Sequence, residues 1–120
     1  MTAQHTLGEW MDTALVDAPP DLAIRIESAL HEGWRDEPAS SGSAVMMDAA
    51  VTELKVLLAR GCETRWAAPG LLAVDALVTH ACELVARAGD DVDAGCEQMI
   101  RQIVGVAAGA SVRDDSGKIA

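Results

Sequence analysis

The sequence predicts an all-α protein, a compact bundle of four or five helices around a largely buried central helix at about residues 71–88. Three observations predict this class. Half of the 120 residues are hydrophobic, which is enough for one core without disulfides. Phe and Tyr are absent, so small aliphatic side chains must fill that core, and they suit close helix packing better than a β-sandwich. Apolar residues also recur at helical spacing along most of the chain.

The first two helices are predicted from a capping box and a pair of prolines. In the capping box, the Thr6 hydroxyl accepts a hydrogen bond from the Glu9 N–H, and the Glu9 side chain reaches back. The prolines at 19–20 end the first helix and begin the second, because a proline in the first helical turn lacks only an N–H that would be unpaired anyway. On the outer side of this second helix, Asp21 and Arg25 are expected to form an i, i+4 ion pair.

The next segments are a predicted linker and a third helix. Residues 35–43 contain proline, glycine and three serines without an apolar anchor, a composition typical of a linker. Ser43 is the expected N-cap of a third helix that ends at Gly61. A second irregular stretch, residues 62–70, leads into the central helix.

The C-terminal part is predicted to hold one more helix and a tail. A fifth helix begins at Val92 and repeats apolar side chains at helical spacing through Ala107. Residues from about 111 onward are expected to form a flexible, solvated tail. The chain is therefore predicted to be a single helical domain over residues 1–110, followed by the tail over residues 111–120.

The central helix is apolar around most of its circumference, and its polar residues form one narrow strip. The strip consists of Asp75, Thr79 and Glu83 at i+4 spacing, then Arg87, with His80 beside them. A helix this apolar is expected to pack against other helices on several sides. The polar strip then has three interpretations: the solvent edge of the helix, a contact with a partner protein, or a site in which a carboxylate polarises His80 as a general base.

The loop before the central helix contains the densest mixture of chemical groups in the chain. Arg65, together with the free N–H groups at the start of the helix, could hold an anion. Trp66 could close over a ligand, anchor a partner protein, or cap the end of the helical core. The candidate binding residues are therefore Arg65, Trp66, Asp75, Thr79, His80, Glu83 and Arg87.

The three cysteines indicate a reducing compartment. Cys62, Cys82 and Cys96 are odd in number, widely spaced and without a CxxC motif, so free thiols and a cytoplasmic location are expected. Cys82 and Cys96 occupy apolar helix faces, where cysteine behaves as a small hydrophobic residue. A metal site formed by Cys62, His80 and Glu83 is a weaker alternative. The sequence predicts no resident metal and no cofactor.

The charge of the chain argues against several classes of partner. The formal net charge is −10, and an acidic chain repels nucleic-acid backbones and anionic lipid surfaces. The N-terminal residues lack the pattern of a secretory signal. Asp75 and His80 interrupt the best apolar stretch, so none is expected to reach the ~20 residues that span a bilayer. Neither nucleic acid nor a membrane is a predicted partner.

The function predicted from these features is a small acidic, non-catalytic protein–protein interaction or regulatory module. The motifs GxGxxG, GxxxxGK[ST], GxSxG and HExxH are absent, so no enzyme signature supports catalysis. The expected partner is another protein, and a second copy of this chain is one candidate because a short bundle has few helices to cover so apolar a central helix. The alternative function is a small ligand- or metal-binding helical protein that uses the polar strip.

Overall fold

Five α-helices and two short 3-10 turns form the described part of the fold. A computed structural model describes residues 6–61, 65, 67–88 and 91–119, with side chains through residue 109. The helices are α1 (Leu7–Ala14), α2 (Pro20–Ala29), α3 (Gly42–Arg60), α4 (Ala67–Ala88) and α5 (Val92–Ile119), and the 3-10 turns are Trp34–Asp36 and Ala39–Ser41. No strand is present among these residues, and the predicted all-α bundle of four or five helices is confirmed.

Helix α1 begins where the capping box predicts. The Thr6 hydroxyl accepts a hydrogen bond from the Glu9 N–H at 3.2 Å, which satisfies one of the free N–H groups of the first turn. The Leu7 N–H donates to the Glu37 carbonyl at 2.7 Å. The start of α1 is therefore tied to the chain segment that precedes α3.

The segment predicted as a linker is instead folded against α1. Both 3-10 turns fall in or next to residues 35–43, and a Cβ on Gly8 of α1 would lie only 3.0 Å from the Arg35 carbonyl oxygen. Ser43 is not the N-cap of α3, because the turn Ala39–Ser41 continues directly into a helix that begins at Gly42. Ser41 holds the N-cap position and makes no side-chain hydrogen bond there.

Helix α4 is the central helix of the bundle. It contacts α2, α3, α5 and the second 3-10 turn, and its contact with α3 is the most extensive in the fold. It begins at Ala67, earlier than predicted, because Pro69 lies in the first turn, where a helix tolerates proline. Its buried residues share one side of the helix: Ala67, Gly70, Ala73, Val74, Leu77, Ala81 and Leu84.

The burial of α4 is less complete than its composition predicts. Leu71 and Leu72 are exposed on the outer side, because the neighbouring helices cover one face of α4 rather than most of its circumference. By length and composition alone, α4 could cross a membrane, a test that the core helix of a soluble protein also passes. The expectation that no apolar stretch is long enough to span a bilayer is therefore wrong. The absence of a membrane partner stays a prediction.

Helix α5 contacts both α3 and α4 and continues through Ile119. Most of the segment predicted as a tail is thus helical. Only the backbone of that part of α5 is described. The flexibility of residues 111–120 and the single domain over residues 1–110 stay predictions.

Replacing Leu77 by alanine is expected to lower the free energy of unfolding by about 2–5 kcal/mol, because the side chain is fully buried and its loss leaves a cavity. Leu72→Ala is the matched control, since this leucine lies on the same helix and is 60% exposed. The control is expected to cost less than about 1 kcal/mol. Urea denaturation followed by circular dichroism measures both, and equal losses would contradict the assigned buried face.

Candidate functional site

Four of the five residues of the polar strip lie at the solvent edge of α4. Asp75, Thr79, Glu83 and Arg87 are exposed. The Thr79 hydroxyl donates a hydrogen bond to the Asp75 carbonyl at 2.8 Å, and the Glu83 carboxylate lies 3.6 Å from the Arg87 guanidinium. Thr79, Glu83 and Arg87 thus have partners within α4, and the roles of all four residues in a ligand or partner site stay predictions.

His80, the fifth residue, turns away from the strip toward α1. Its ring meets the buried Trp10 edge-on, with 5.5 Å between ring centroids and 81° between the planes. The His80 Nδ1 atom is buried and has no hydrogen-bond partner in the described part of the chain. Burial lowers the pKa of His80 below its ordinary value, and the nearby Glu83 carboxylate opposes that shift. His80 therefore belongs to the α1–α4 contact and favours the neutral form.

The loop before α4 is only partly described. Arg65 is exposed in a turn, where its carbonyl accepts a hydrogen bond from the Ala68 N–H at 3.4 Å. Trp66 and Cys62 lie outside the described residues. The anion-binding role of Arg65, the anchoring role of Trp66 and the metal site with Cys62 all stay predictions.

Arg25 is a residue of α2 whose side chain packs against the start of α4. This placement was not predicted from the sequence. Its Nη2 atom would be 3.3 Å from a Cβ on Gly70, and its Nε atom is buried without a hydrogen-bond partner among the residues that the structure describes. No Asp21–Arg25 ion pair occurs in the same part of the chain, so that prediction is wrong. Arg25 packs inward against the first turn of α4 rather than along the surface of α2.

A cluster around Arg35 joins α1 to α2. The Arg35 guanidinium donates to both Asp12 carboxylate oxygens at 2.7 and 2.8 Å, and it lies 3.5 Å from the Glu27 carboxylate. Its carbon also sits 5.1 Å from the centre of the buried Trp34 ring, a cation–π distance. The hydrogen bond to Asp12 raises the pKa of Arg35. All these groups are paired, so the cluster positions helices and offers no free group for chemistry.

A cavity of about 260 Å³ lies between α3 and α5. Its polar lining consists of Ser43, Asp48, Gln98 and Gln102, and its apolar side includes Met47. This volume is below the ~300–1,000 Å³ that drug-sized ligands occupy. The cavity contains a single carboxylate and no second titratable side chain, so acid–base catalysis has no paired groups there.

Neither a cluster of metal-ligating residues nor a similar protein indicates a further site in the described part of the chain. Within residues 6–61, 65, 67–88 and 91–109, no group of three or more His, Cys, Asp or Glu side chains is placed to hold a metal ion. Comparison with models of known families, with characterised proteins and with solved structures found no match. The function is therefore argued from the geometry of this chain alone.

The position of His80 predicts a stability that depends on pH. Because its pKa in the folded protein lies below the ordinary value of 6.5, the unfolded chain binds the proton more tightly than the folded one. Stability is then fully present above about pH 6.5 and is lost as the pH falls from there toward the lower, folded pKa.

A His80→Gln variant is expected to show a shallower loss of unfolding free energy than the parent between about pH 7.5 and 5.5. Urea denaturation at a series of pH values measures the slope. An NMR titration of the His80 ring in the parent checks the direction of the shift directly. Identical slopes in the two proteins would contradict the lowered pKa of this partly buried side chain.

Proposed function

We propose that this protein is a small non-catalytic interaction module that associates with a second copy of itself through one face of α5. The observation that carries the proposal is an apolar surface without a neighbour. Ile100 and Val104 lie one turn apart and are 61% and 58% exposed. Ala107 and Ala108 are also exposed and extend the same side of the helix. These four residues are called the α5 face.

The α5 face is distinct from the side of the helix that packs in the bundle. Met99 is buried, and Ile103 and Val106 are partly buried. At 100° per residue, the centre of that packed side lies about a third of a turn from the α5 face. Helix α5 thus has two apolar sides, and the bundle covers only one of them, whereas a surface helix ordinarily needs one.

Charge favours a second copy as the occupant of this face. Two chains with a net charge of −10 repel each other, so self-association needs a surface on which little charge is brought together. Between Gln98 and Gly109 the only charged residue is Arg101, and it pairs with Glu97 at 3.4 Å. The α5 face is therefore nearly neutral locally, and a two-fold axis would place it against its own copy.

The arrangement of polar groups supports a non-catalytic role. On the strip of α4 the Thr79 hydroxyl donates to the Asp75 backbone carbonyl and Glu83 pairs with Arg87, and Arg35 is held by two carboxylates on α1 and α2. A catalytic base and nucleophile need to meet in one cleft within hydrogen-bond distance. The Arg35 cluster thus holds helices together, while the α5 face is exposed and apolar.

Measurement of the oligomeric state tests the proposal. Two exposed isoleucines provide the test variant and its matched control. The parent is expected to scatter light as a dimer at micromolar concentrations. Ile100→Glu is expected to weaken association at least about tenfold, because the two-fold axis brings two carboxylates into an apolar contact. Ile24→Glu on α2 is the control, since Ile24 is 62% exposed and lies outside the α5 face, and it should dimerise as the parent does.

Three results would overturn self-association through α5. They are a parent that stays monomeric at high concentration, an Ile100→Glu variant that still forms dimers, and an Ile24→Glu variant that dissociates as readily as Ile100→Glu. Circular dichroism on each variant establishes that the helices are retained. Native mass spectrometry of the parent separates the two functions predicted from the sequence, because a dimer of bare polypeptide supports the interaction module and excess mass supports a bound ligand or metal.

A further inference from the structure

Two cysteines lie side by side where α4 and α5 meet. Cys82 and Cys96 are free thiols, and they are close enough for Cys96 to raise the pKa of the Cys82 thiol. The helices approach closely at this point, since a Cβ on Gly95 would lie 2.7 Å from the Val85 side chain. Gly95 directly precedes Cys96, and Val85 is one turn beyond Cys82. Because residue 95 is a glycine, α5 can approach α4 closely beside the two cysteines.

The two thiols are both held in place and open to reagents. Each is only partly buried, and each packs on its inner side against the hydrophobic core. A disulfide requires two Cβ atoms about 3.5–4.5 Å apart on opposed backbones, and the close approach of α4 and α5 beside these neighbouring thiols is compatible with that arrangement. A partly exposed thiol is also the kind that small oxidants reach.

We propose that Cys82 and Cys96 form a redox modification site, in which a small disulfide of the glutathione type converts the two thiols into a reversible disulfide between α4 and α5. The inference goes beyond the proposed self-association and does not depend on it. In a reducing compartment such a bond is transient, as disulfides that sense the redox state of the cell are.

The reaction is a pair of thiol–disulfide exchanges. One cysteine loses its proton and attacks a sulfur of the small disulfide, which breaks that S–S bond and releases one small thiol. The second cysteine then attacks the protein sulfur of the mixed disulfide, forms the Cys82–Cys96 bond and releases the second small thiol. The two protein sulfurs are oxidised, the reagent is reduced to two thiols, and the reverse exchange restores the starting state.

The surroundings of Cys82 slow its attack on a disulfide at neutral pH. Burial raises the pKa of the Cys82 thiol, and the neighbouring Cys96 raises it further. Since the thiolate is the attacking species, less of it is present at neutral pH. The rate of disulfide formation is therefore expected to increase as the pH is raised.

The test uses the full chain with Cys62→Ser, which leaves Cys82 and Cys96 as the only cysteines. In buffers that contain reduced and oxidised glutathione, the expected product has lost two hydrogen atoms by intact mass and both reactive thiols. Its melting temperature is expected to rise by about 5–15 °C, because the bond closes a short loop of the unfolded chain. Reduction should restore the starting mass and melting temperature.

Two further variants in the same background, Cys82→Ser and Cys96→Ser, serve as matched controls. Each is expected to gain one glutathione and no internal bond, and alanine replaces serine if a variant loses its helical circular dichroism. The proposal is overturned if the Cys62→Ser protein gives only glutathione adducts. It is also overturned if its disulfides join separate chains, which non-reducing electrophoresis over a range of protein concentrations reveals.

Discussion

The contact between α3 and α4 is the interaction on which the rest of the bundle depends. At one end, a Cβ on Gly42 would lie 2.6 Å from the Leu84 side chain, and at the other a Cβ on Gly70 would lie 2.8 Å from Leu57. The start of each helix thus meets the end of the other, so the two helices are antiparallel. Without Phe or Tyr, the core is filled mainly by leucine, methionine and alanine beside two tryptophans, and glycine lets the helices approach closely enough for the smaller side chains to remain in contact.

Local signals explain how much of this fold is predictable from the sequence. The Thr6 cap and the prolines at 19–20 each involve residues within one helical turn, and the structure contains both. Ser43 shows the limit of such reasoning. It is a good N-cap residue by type, yet the preceding 3-10 turn has already fixed the start of α3 at Gly42.

The features that the sequence analysis missed depend on residues far apart in the chain. Arg35 meets Asp12 across 23 positions, and Arg25 leaves its i+4 partner for the first turn of α4. Cys82 and Cys96 were correctly placed on apolar faces that pack against the core. Their contact with each other follows from how α4 and α5 cross, which helical periodicity does not specify. Helical spacing thus predicted that the strip residues share one side of α4, but it did not predict that His80 turns inward.

The edge-on contact of Trp10 with His80 has a consequence for the order in which the molecule is assembled. Helix α1 has eight residues, too few to be stable alone in water, and its buried Trp10 packs against a residue 70 positions later. During synthesis from the N-terminus, α1 can first meet the turns at residues 34–41, but the Trp10 contact cannot form until α4 has been made. Contacts between residues so distant in the chain slow folding. The environment of Trp10 on α1 is therefore completed by a helix that is synthesised much later.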